Sequence, residues 1–410
     1  MDILIQKFGG TSVRDKKSRR HVIEHIQRAI HHNYKVIVVV SAPGRLPEPY
    51  ATDSLLALAD FPENHTAHRE LDMLMSCGET ISSVILTSEL QTHNVTATAL
   101  TGPQAGIITN DHFNQAKIKE VKPKRVYDEL EKHDVVVVAG FQGVTKTGDI
   151  TTLGRGGSDT TAASLGAATQ AKGIEIFTDV NGIMTADPRI VKKARSLDAI
   201  TYMEICHLAY QGAKVVHPRA VEIAMQAEVP MRVRSTYSND SGTLVTSSRL
   251  PTGVDIPDRL ITGFAYIDAI TQIQVKMKAG KNSQANVFNA MAEAGISIDF
   301  INISPTEVVY TVPNDLTEKA ENILKTIGYE PVINKDCAKV SAVGAGMTGV
   351  PGVASRIVET LMNEDIQILQ SADSHTTIWV LIKEKDLTVA LNALHEEFGL
   401  SEIKKQPLNH

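Results

Sequence analysis

The hydrophobic positions of this chain change character near residue 250. Before that point, short runs in which every residue is apolar alternate with longer segments in which apolar residues return every three or four positions. Such alternation predicts an open, mostly parallel sheet buried on both faces by helices. Ile3 to Lys7, Lys35 to Ser41, Val95 to Leu100, Val135 to Ala139, Ile174 to Phe177 and Pro230 to Val233 read as strands. Asp15 to His31, Glu70 to Glu89, Asp159 to Thr169 and Met203 to Gln211 read as helices. In the first helix Val22, Ile23, Ile26, Ala29 and Ile30 share one side, and Lys16, Lys17, Arg20, Glu24 and Arg28 the other.

Two prolines and a glycine interrupt all periodicity between Ser247 and Leu260, which marks a domain boundary. Beyond it, ANVFNAMAEAGISI at 285–298 is echoed by SRIVETLMNEDIQI at 355–368, so that Ile296 and Ile298 recur as Ile366 and Ile368, 70 residues on. The β-branched runs Ile270 to Val275, Val308 to Val312 and Ile378 to Ile382 suit antiparallel strands covered by helices on one face. The expected layout is an α/β domain over 1–246, a linker over 247–260, and small α+β modules over 261–335 and 336–410. An early strand near 261–267 could belong to the second module instead.

Length and composition narrow the function classes. A chain of 410 residues has room for two or three domains, and 42% apolar with 21% charged residues excludes disordered and fibrous classes. A net charge of -6 offers no basic field, so nucleic acid is not an expected partner. No apolar run approaches the roughly 20 residues of a membrane span. The opening residues read directly as a strand, which gives secretion no support and makes the cytoplasm the expected location. Cys77, Cys206 and Cys337 lie more than a hundred residues apart, fit neither a zinc site nor a disulfide framework, and are expected to be buried thiols.

Three glycine-rich turns carry candidate chemistry. In Lys7-Phe8-Gly9-Gly10-Thr11-Ser12 a lysine closes a strand ahead of a tight turn and a helix start, the outline of a phosphate site, although the same residues could form only a turn. Leu153-Gly154-Arg155-Gly156-Gly157-Ser158-Asp159 opens a second helix; Ser158 or Asp159 could merely cap it, but Arg155 among glycines leaves its guanidinium free for a carboxylate or phosphate. Thr178-Asp179-Val180-Asn181-Gly182-Ile183-Met184-Thr185-Ala186-Asp187-Pro188-Arg189 follows a strand, where ligands of open α/β sheets collect, although Asn-Gly and Asp-Pro are also common turn formers and by themselves make only a loop. Glu79 begins a helical stretch and could simply complement its dipole; Lys214 could be an ordinary surface lysine. His21-Val22-Ile23-Glu24-His25 matches a metalloprotease pattern, but it is read as lying on the polar side of its helix without a third ligand.

Taken together, KFGGTS at 7–12, VVSAPG at 39–44, TDSLL at 52–56, Gly78-Glu79, LGRGGSDTTA at 153–162, FTDVNGIMTADPR at 177–189 and GAKVVHPRA at 212–220 resemble the aspartokinase family in order and spacing. The duplicated tail is similar to that family's tandem ACT domains, so the resemblance covers essentially the whole chain. The chain also resembles the shorter, stand-alone aspartokinases of bacilli. Two classes with less support are another amino-acid kinase of glutamate type and a non-catalytic ACT amino-acid sensor. The chain departs from the family at Met184 and Asn181, where tyrosine and aspartate are frequent, and at 278–282, where a Pro-Asp-Lys-Pro-Gly turn is replaced.

The resemblance implies an amino-acid-kinase-like sheet followed by two ferredoxin-like ACT modules, and transfer of the ATP γ-phosphoryl group to the side-chain carboxylate of L-aspartate with Mg2+. It assigns Lys7 and Asp159 to catalysis. ATP falls to Lys7, Phe8, Gly9, Gly10, Ser41, Thr178, Asp179, Met184, Arg189 and Lys214. Aspartate falls to Ser41, Thr52, Glu79, Arg155 and Ser158. An amino-acid effector, whether lysine, threonine or diaminopimelate, is placed at strand-to-helix turns: Lys281, Asn282, Ser283, Gln284, Ala285 and Asn286, or Gln367 and Ile368. A homo-oligomer held by the ACT modules is expected.

Overall fold

The computed structural model describes residues 1–62, 65–213, 215–247, 259–277 and 283–401. Contacts divide them into two compact units. The first holds β1 (Ile3–Phe8), α1 (Gly10–Val13), α2 (Lys16–His31), β2 (Lys35–Val40), α3 (Thr52–Leu58), α4 (His68–Thr92), β3 (Ala97–Leu100), β4 (Ile107–Thr109) and β5 (Ile118–Val121). It continues with α5 (Lys124–Leu130), β6 (Val135–Ala139), β7 (Gln142–Val144), β8 (Ile150–Thr152), α6 (Gly157–Thr169), β9 (Gly173–Thr178), β10 (Ala199–Thr201), α7 (Tyr202–Tyr210), α8 (Pro218–Gln226), β11 (Met231–Ser235) and β12 (Thr243–Thr246).

Among the described residues, the main sheet runs β10-β12-β11-β9-β1-β2-β6-β3. Its central strands β9, β1, β2 and β6 are parallel. The predicted β2 and β6 are valine-rich because both their faces are covered: Val36 to Val40 and Val135 to Ala139 are fully buried. The Asp15 carboxylate accepts from Ser18 N–H at 2.8 Å and so sets the start of α2. A second sheet, β5-β4-β7-β8, carries the glycine turn at 153–157 on its last strand; the sequence pattern did not predict it, since its strands are only three or four residues long.

The second unit holds β13 (Gly263–Lys276), α9 (Ser283–Glu293), β14 (Asp299–Ile303), β15 (Glu307–Pro313), α10 (Thr317–Thr326), β16 (Val332–Val343), α11 (Val353–Asn363), β17 (Gln370–Asp373), β18 (Thr377–Lys383) and α12 (Leu387–Glu397). Its sheet runs β14-β15-β13-β16-β18-β17, every neighbouring pair antiparallel. The repeat read from the sequence is present as two helix-covered cores. Val287, Met291, Tyr310 and Leu324 centre the first, and Val340, Leu361, Leu391 and Leu394 the second. Strands β13 and β16 run through both: Ile273 pairs with Ile333 in one module, while Gly263 to Ile267 pair with Val343 to Lys339 in the other. The early strand therefore lies in the second module.

Thr185–Arg195 and Gln211–Ala213 also pack in this second unit, although the sequence reading placed them inside the first domain. Ala186 and Val191 sit in the core with Phe264 and Leu394. Thr185 Oγ1 meets His395 Nε2 at 2.9 Å, its carbonyl accepts from Phe264 N–H at 2.8 Å, and Arg195 Nε donates to the Leu400 carbonyl at 2.9 Å. Cutting the chain after Thr246 removes every one of these partners. Trypsin is expected to cleave within 187–195 in the truncated protein under conditions that spare the intact chain there, as read by mass spectrometry. Equal resistance in both would count against this packing.

Candidate active site

Because β9, β1, β2 and β6 are parallel, their carboxyl ends meet along one edge of the sheet, where the loops enclose a cleft of about 510 Å³. Lys7 enters it from β1. The turn after Lys7 demands glycine: a Cβ on Gly10 would stand 2.7 Å from the Ala42 carbonyl oxygen and 2.8 Å from that of Gly44, both backbone atoms that cannot swing away. Lys7 Nζ lies 2.7 Å from Asp159 Oδ1 in the first turn of α6, an ion pair without the alignment of a hydrogen bond. The other oxygen, Oδ2, accepts from His217 N–H at 3.2 Å. Gly156 has φ +70°, and a Cβ there would fall 2.2 Å from the His217 ring. Ser41 Oγ, past the end of β2, donates to Ser158 Oγ at 3.0 Å.

Glu79 supplies the carboxyl end of the cleft. It is 2% exposed; its Oε1 accepts from Ala42 N–H at 3.0 Å, and its Oε2 has no hydrogen-bond partner among the described residues. Burial pushes its carboxyl up to about 8, against which the Ala42 N–H works in the opposite direction. Arg155 is exposed and makes no hydrogen bond or ion pair to another described residue. One cleft thus presents an ion-paired lysine, a carboxyl with a free oxygen and a free guanidinium. Thr52, Leu56, Phe61, Met75, Asn114 and Phe141 complete its wall.

The amino acid kinase family matches over residues 2–235, and an ACT domain matches over 332–396. Aspartokinase 1 of Bacillus subtilis is 60% identical over 98% of this chain and all of that protein. The chain belongs to the aspartokinase family. The aspartokinase of Geobacillus stearothermophilus is 41% identical over 98% of both chains. Among solved structures, E. coli aspartokinase III in complex with aspartate and ADP has a TM-score of 0.79 at 25% identity, covering 97% of this chain and 99% of that one. The same enzyme in complex with lysine and aspartate gives 0.78 at 25% identity, covering 97% and 100%.

Of the site residues read from the sequence of this aspartokinase-family chain, Lys7, Gly10, Ser41, Thr52, Glu79, Arg155, Ser158 and Asp159 line the one cleft. Gly9 caps α1 beside Lys7 Nζ. Phe8 offers only backbone, because its ring is turned into the core and stacks on Phe177 at 4.6 Å. Thr178 and Asp179 stand at the end of β9, joined by a 3.0 Å hydrogen bond, and Met184 bridges to Ser196; none of the three lines the cleft. Arg189 belongs to the second unit and pairs with Asp187. Lys214, Lys281 and Asn282 lie outside the described residues. Ser283 opens α9, Gln284 Nε2 donates to the Ser304 carbonyl at 2.8 Å, and Ala285 and Asn286 are exposed on the same turn.

Three expectations need correction. Gln367 and Ile368 lie in the connection from α11 to β17, a helix-to-strand rather than a strand-to-helix turn. The strand-to-helix turn of that module is 344–352, and with the hairpin between β17 and β18 it encloses a cavity of about 600 Å³ lined by Met347, Gly352, Asp373 and His375. His25 is not on the polar side of α2: it is buried, its Nε2–H donates to the Thr236 carbonyl at 3.0 Å, and burial pushes it down to about 4. Cys77 is exposed on α4, whereas Cys206 and Cys337 are buried. The sequence reading also missed Asn114 and Phe141, whose segments carry no motif.

The free oxygen of Glu79 has a measurable cost. In the unfolded chain its carboxyl ionises near 4.5, whereas in the empty folded cleft it holds its proton to about 8. Between those values the folded state binds the extra proton, so this stability is present below about pH 4.5 and is lost as pH rises through about 8. Glu79→Gln keeps the shape without the titration. Melting curves of the ligand-free proteins are expected to show the variant gaining on the parent steadily from about pH 5 to about pH 8. A constant difference would refute the assignment.

Proposed function

We propose that this chain transfers the γ-phosphoryl group of ATP to the side-chain carboxylate of L-aspartate, giving 4-phospho-L-aspartate and ADP, and so opens the route to lysine and diaminopimelate, threonine and methionine. The observation that carries this reading is the presence of both Glu79 and Arg155 in the wall of the cleft that holds Lys7. A free amino acid is a zwitterion, and the cleft offers one partner of each sign beside a phosphoryl site. The reaction uses soluble small molecules, and no helix among the described residues is long and apolar enough to cross a membrane; the cytoplasm is its natural setting.

The side chain of aspartate ionises near pH ~3.9 in water and is already an anion at neutral pH, so the acceptor needs no general base. The difficulty is bringing two anions together, and the chain meets it by positioning and charge. Lys7 Nζ, with the backbone N–H groups of Gly9 and Gly10, faces the transferring group. Arg155 takes the α-carboxylate of aspartate, Glu79 its ammonium, and Ser41, Thr52 and Ser158 hydrogen-bond its carboxylates. Asp159 holds Lys7 in line. Thr178, Asp179 and Met184, on the neighbouring strand end and loop, with Lys214, are assigned to the nucleotide. No cluster of three His, Cys, Asp or Glu side chains is found among the described residues, and Asp159 is the carboxylate beside Lys7. This donor set fits Mg2+, which is held largely by phosphates and water with one or two carboxylates. The ion supplies charge neutralisation on the phosphate oxygens.

We also assign amino-acid feedback control to the second unit, with lysine, threonine or diaminopimelate bound at its strand-to-helix turns in a homo-oligomer of this chain. The 344–352 turn with its cavity of about 600 Å³ is the described candidate. Assays with each of the three added singly and in pairs test it; a rate indifferent to all of them rejects it.

Acyl-phosphate formation, compared for aspartate and glutamate as acceptors, decides between this reading and a glutamate-type kinase; no turnover with either leaves the sensor. Lys7→Ala is expected to lower kcat on the order of a hundredfold or more with an unchanged circular dichroism spectrum. Arg155→Ala and Glu79→Ala are expected to raise the KM for aspartate by about ten- to 150-fold and that for ATP far less. A selective loss of ATP affinity would reverse the division of labour.

A further inference from the structure

We infer that Asp72 is a positioning residue that fixes the distance between the two charges reading the substrate, by tying the Arg155 turn to the helix that carries Glu79. This inference rests on the proposed aspartate kinase reading and adds the device that sets its substrate length.

Asp72 is fully buried on α4. Its Oδ1 accepts from Asn114 N–H at 2.9 Å and from Thr152 Oγ1 at 2.7 Å; its Oδ2 accepts from Asn114 N–H at 3.0 Å and from Thr152 N–H at 2.7 Å. An isolated buried carboxylate is strongly unfavourable, and this one is retained with its lone pairs spent on two segments distant in sequence. Both lead to the cleft. Thr152 ends β8 three residues before Arg155, and Asn114 lines the cleft with its carbonyl oxygen 3.1 Å from where a Cβ of Gly154 would stand. Asn114 has φ +66°, so its N–H is aimed by a turn that has little freedom to drift.

Glu79 lies seven residues beyond Asp72 on the same helix. Seven residues are almost two turns, so the two carboxylates share a face about 10 Å apart along the axis. Between them the helix is pressed against the connection from β2 to α3: a Cβ on Gly78 would fall 2.7 Å from both Ala42 Cβ and the Tyr50 carbonyl oxygen. One rigid rod therefore presents the ammonium partner directly and holds the carboxylate clamp through Asp72. The Arg155 turn has glycine on both sides, with Gly156 close against His217 and Gly157 close against Phe141, and Asp72 is the side chain that ties its strand to α4.

Asp72→Asn places an amide NH2 among N–H donors and releases the turn. Thr152→Val removes one of the four hydrogen bonds and keeps the side-chain shape. Steady-state kinetics on the full chain, with glutamate as a competing ligand one methylene longer than aspartate, separate the outcomes. Asp72→Asn is expected to raise the aspartate KM about tenfold and leave the ATP KM within about twofold, and to narrow the ratio of glutamate Ki to aspartate KM by about tenfold. Thr152→Val is expected to move the same quantities in the same direction by a smaller factor, and stands in if Asp72→Asn does not fold. Parallel changes in both KM values, or an unchanged glutamate-to-aspartate ratio in a folded variant, overturn the positioning role. If the parent chain itself forms no aspartyl phosphate in this assay, the proposed function fails instead.

Discussion

The ion pair between Lys7 and Asp159 is the point on which the rest of the first unit converges. Lys7 sits at the end of a central strand and Asp159 in the first turn of α6, so their 2.7 Å contact exists only if that helix opens beside the carboxyl end of β1. Parallel order among β9, β1, β2 and β6 puts every strand end on the same edge, which lets side chains separated by more than a hundred residues meet without a long loop. The glycines at 10 and 156 then bring backbone closer than any side chain would permit. A lysine held by one carboxylate at 2.7 Å keeps its remaining donors for an incoming anion.

Charge in the cleft is arranged for an occupied state rather than an empty one. Glu79 is buried with an unpaired oxygen, and Arg155 faces out with no partner among the described residues. Neither arrangement favours folding, and both match the proposed ligand, which carries an ammonium and a carboxylate. Asp72, equally buried, shows the opposite design: its oxygens are filled by protein donors, which makes it a fixed strut instead of a receptor. Two buried carboxylates on one helix face thus play different parts according to whether their lone pairs are already spent.

Much of this was legible in the sequence, for reasons that differ element by element. The valine runs of β2 and β6 and the stripe of α2 declare themselves because burial on both faces, or along one stripe, fixes their period. The glycine turns at 9–10 and 154–157 are readable because close approach at Gly10 and Gly156 leaves no room for a side chain. Asp72 and Asn114 were not readable: an aspartate inside an amphipathic helix looks like any solvated position, and its partners are two backbone N–H groups and one threonine hydroxyl far along the chain, which leave no motif in the sequence. The β4, β5, β7 and β8 strands are too short to show a period. His25 was misplaced because a histidine on a helix is counted polar until its carbonyl partner, Thr236, is seen.

The eleven residues Thr185–Arg195 pack with the second unit while lying, along the chain, between segments of the first. The ACT-containing tail is therefore not a detachable cassette bounded by one junction. An engineer who grafts a relative's tail onto this kinase after residue 246 would pair a foreign core with the native Ala186, Val191 and Thr185, and a productive chimera has to exchange both pieces together. For the same reason, changes at positions such as Phe264 and His395 are constrained by residues far upstream, so the two stretches should drift in concert among descendants of a common ancestor.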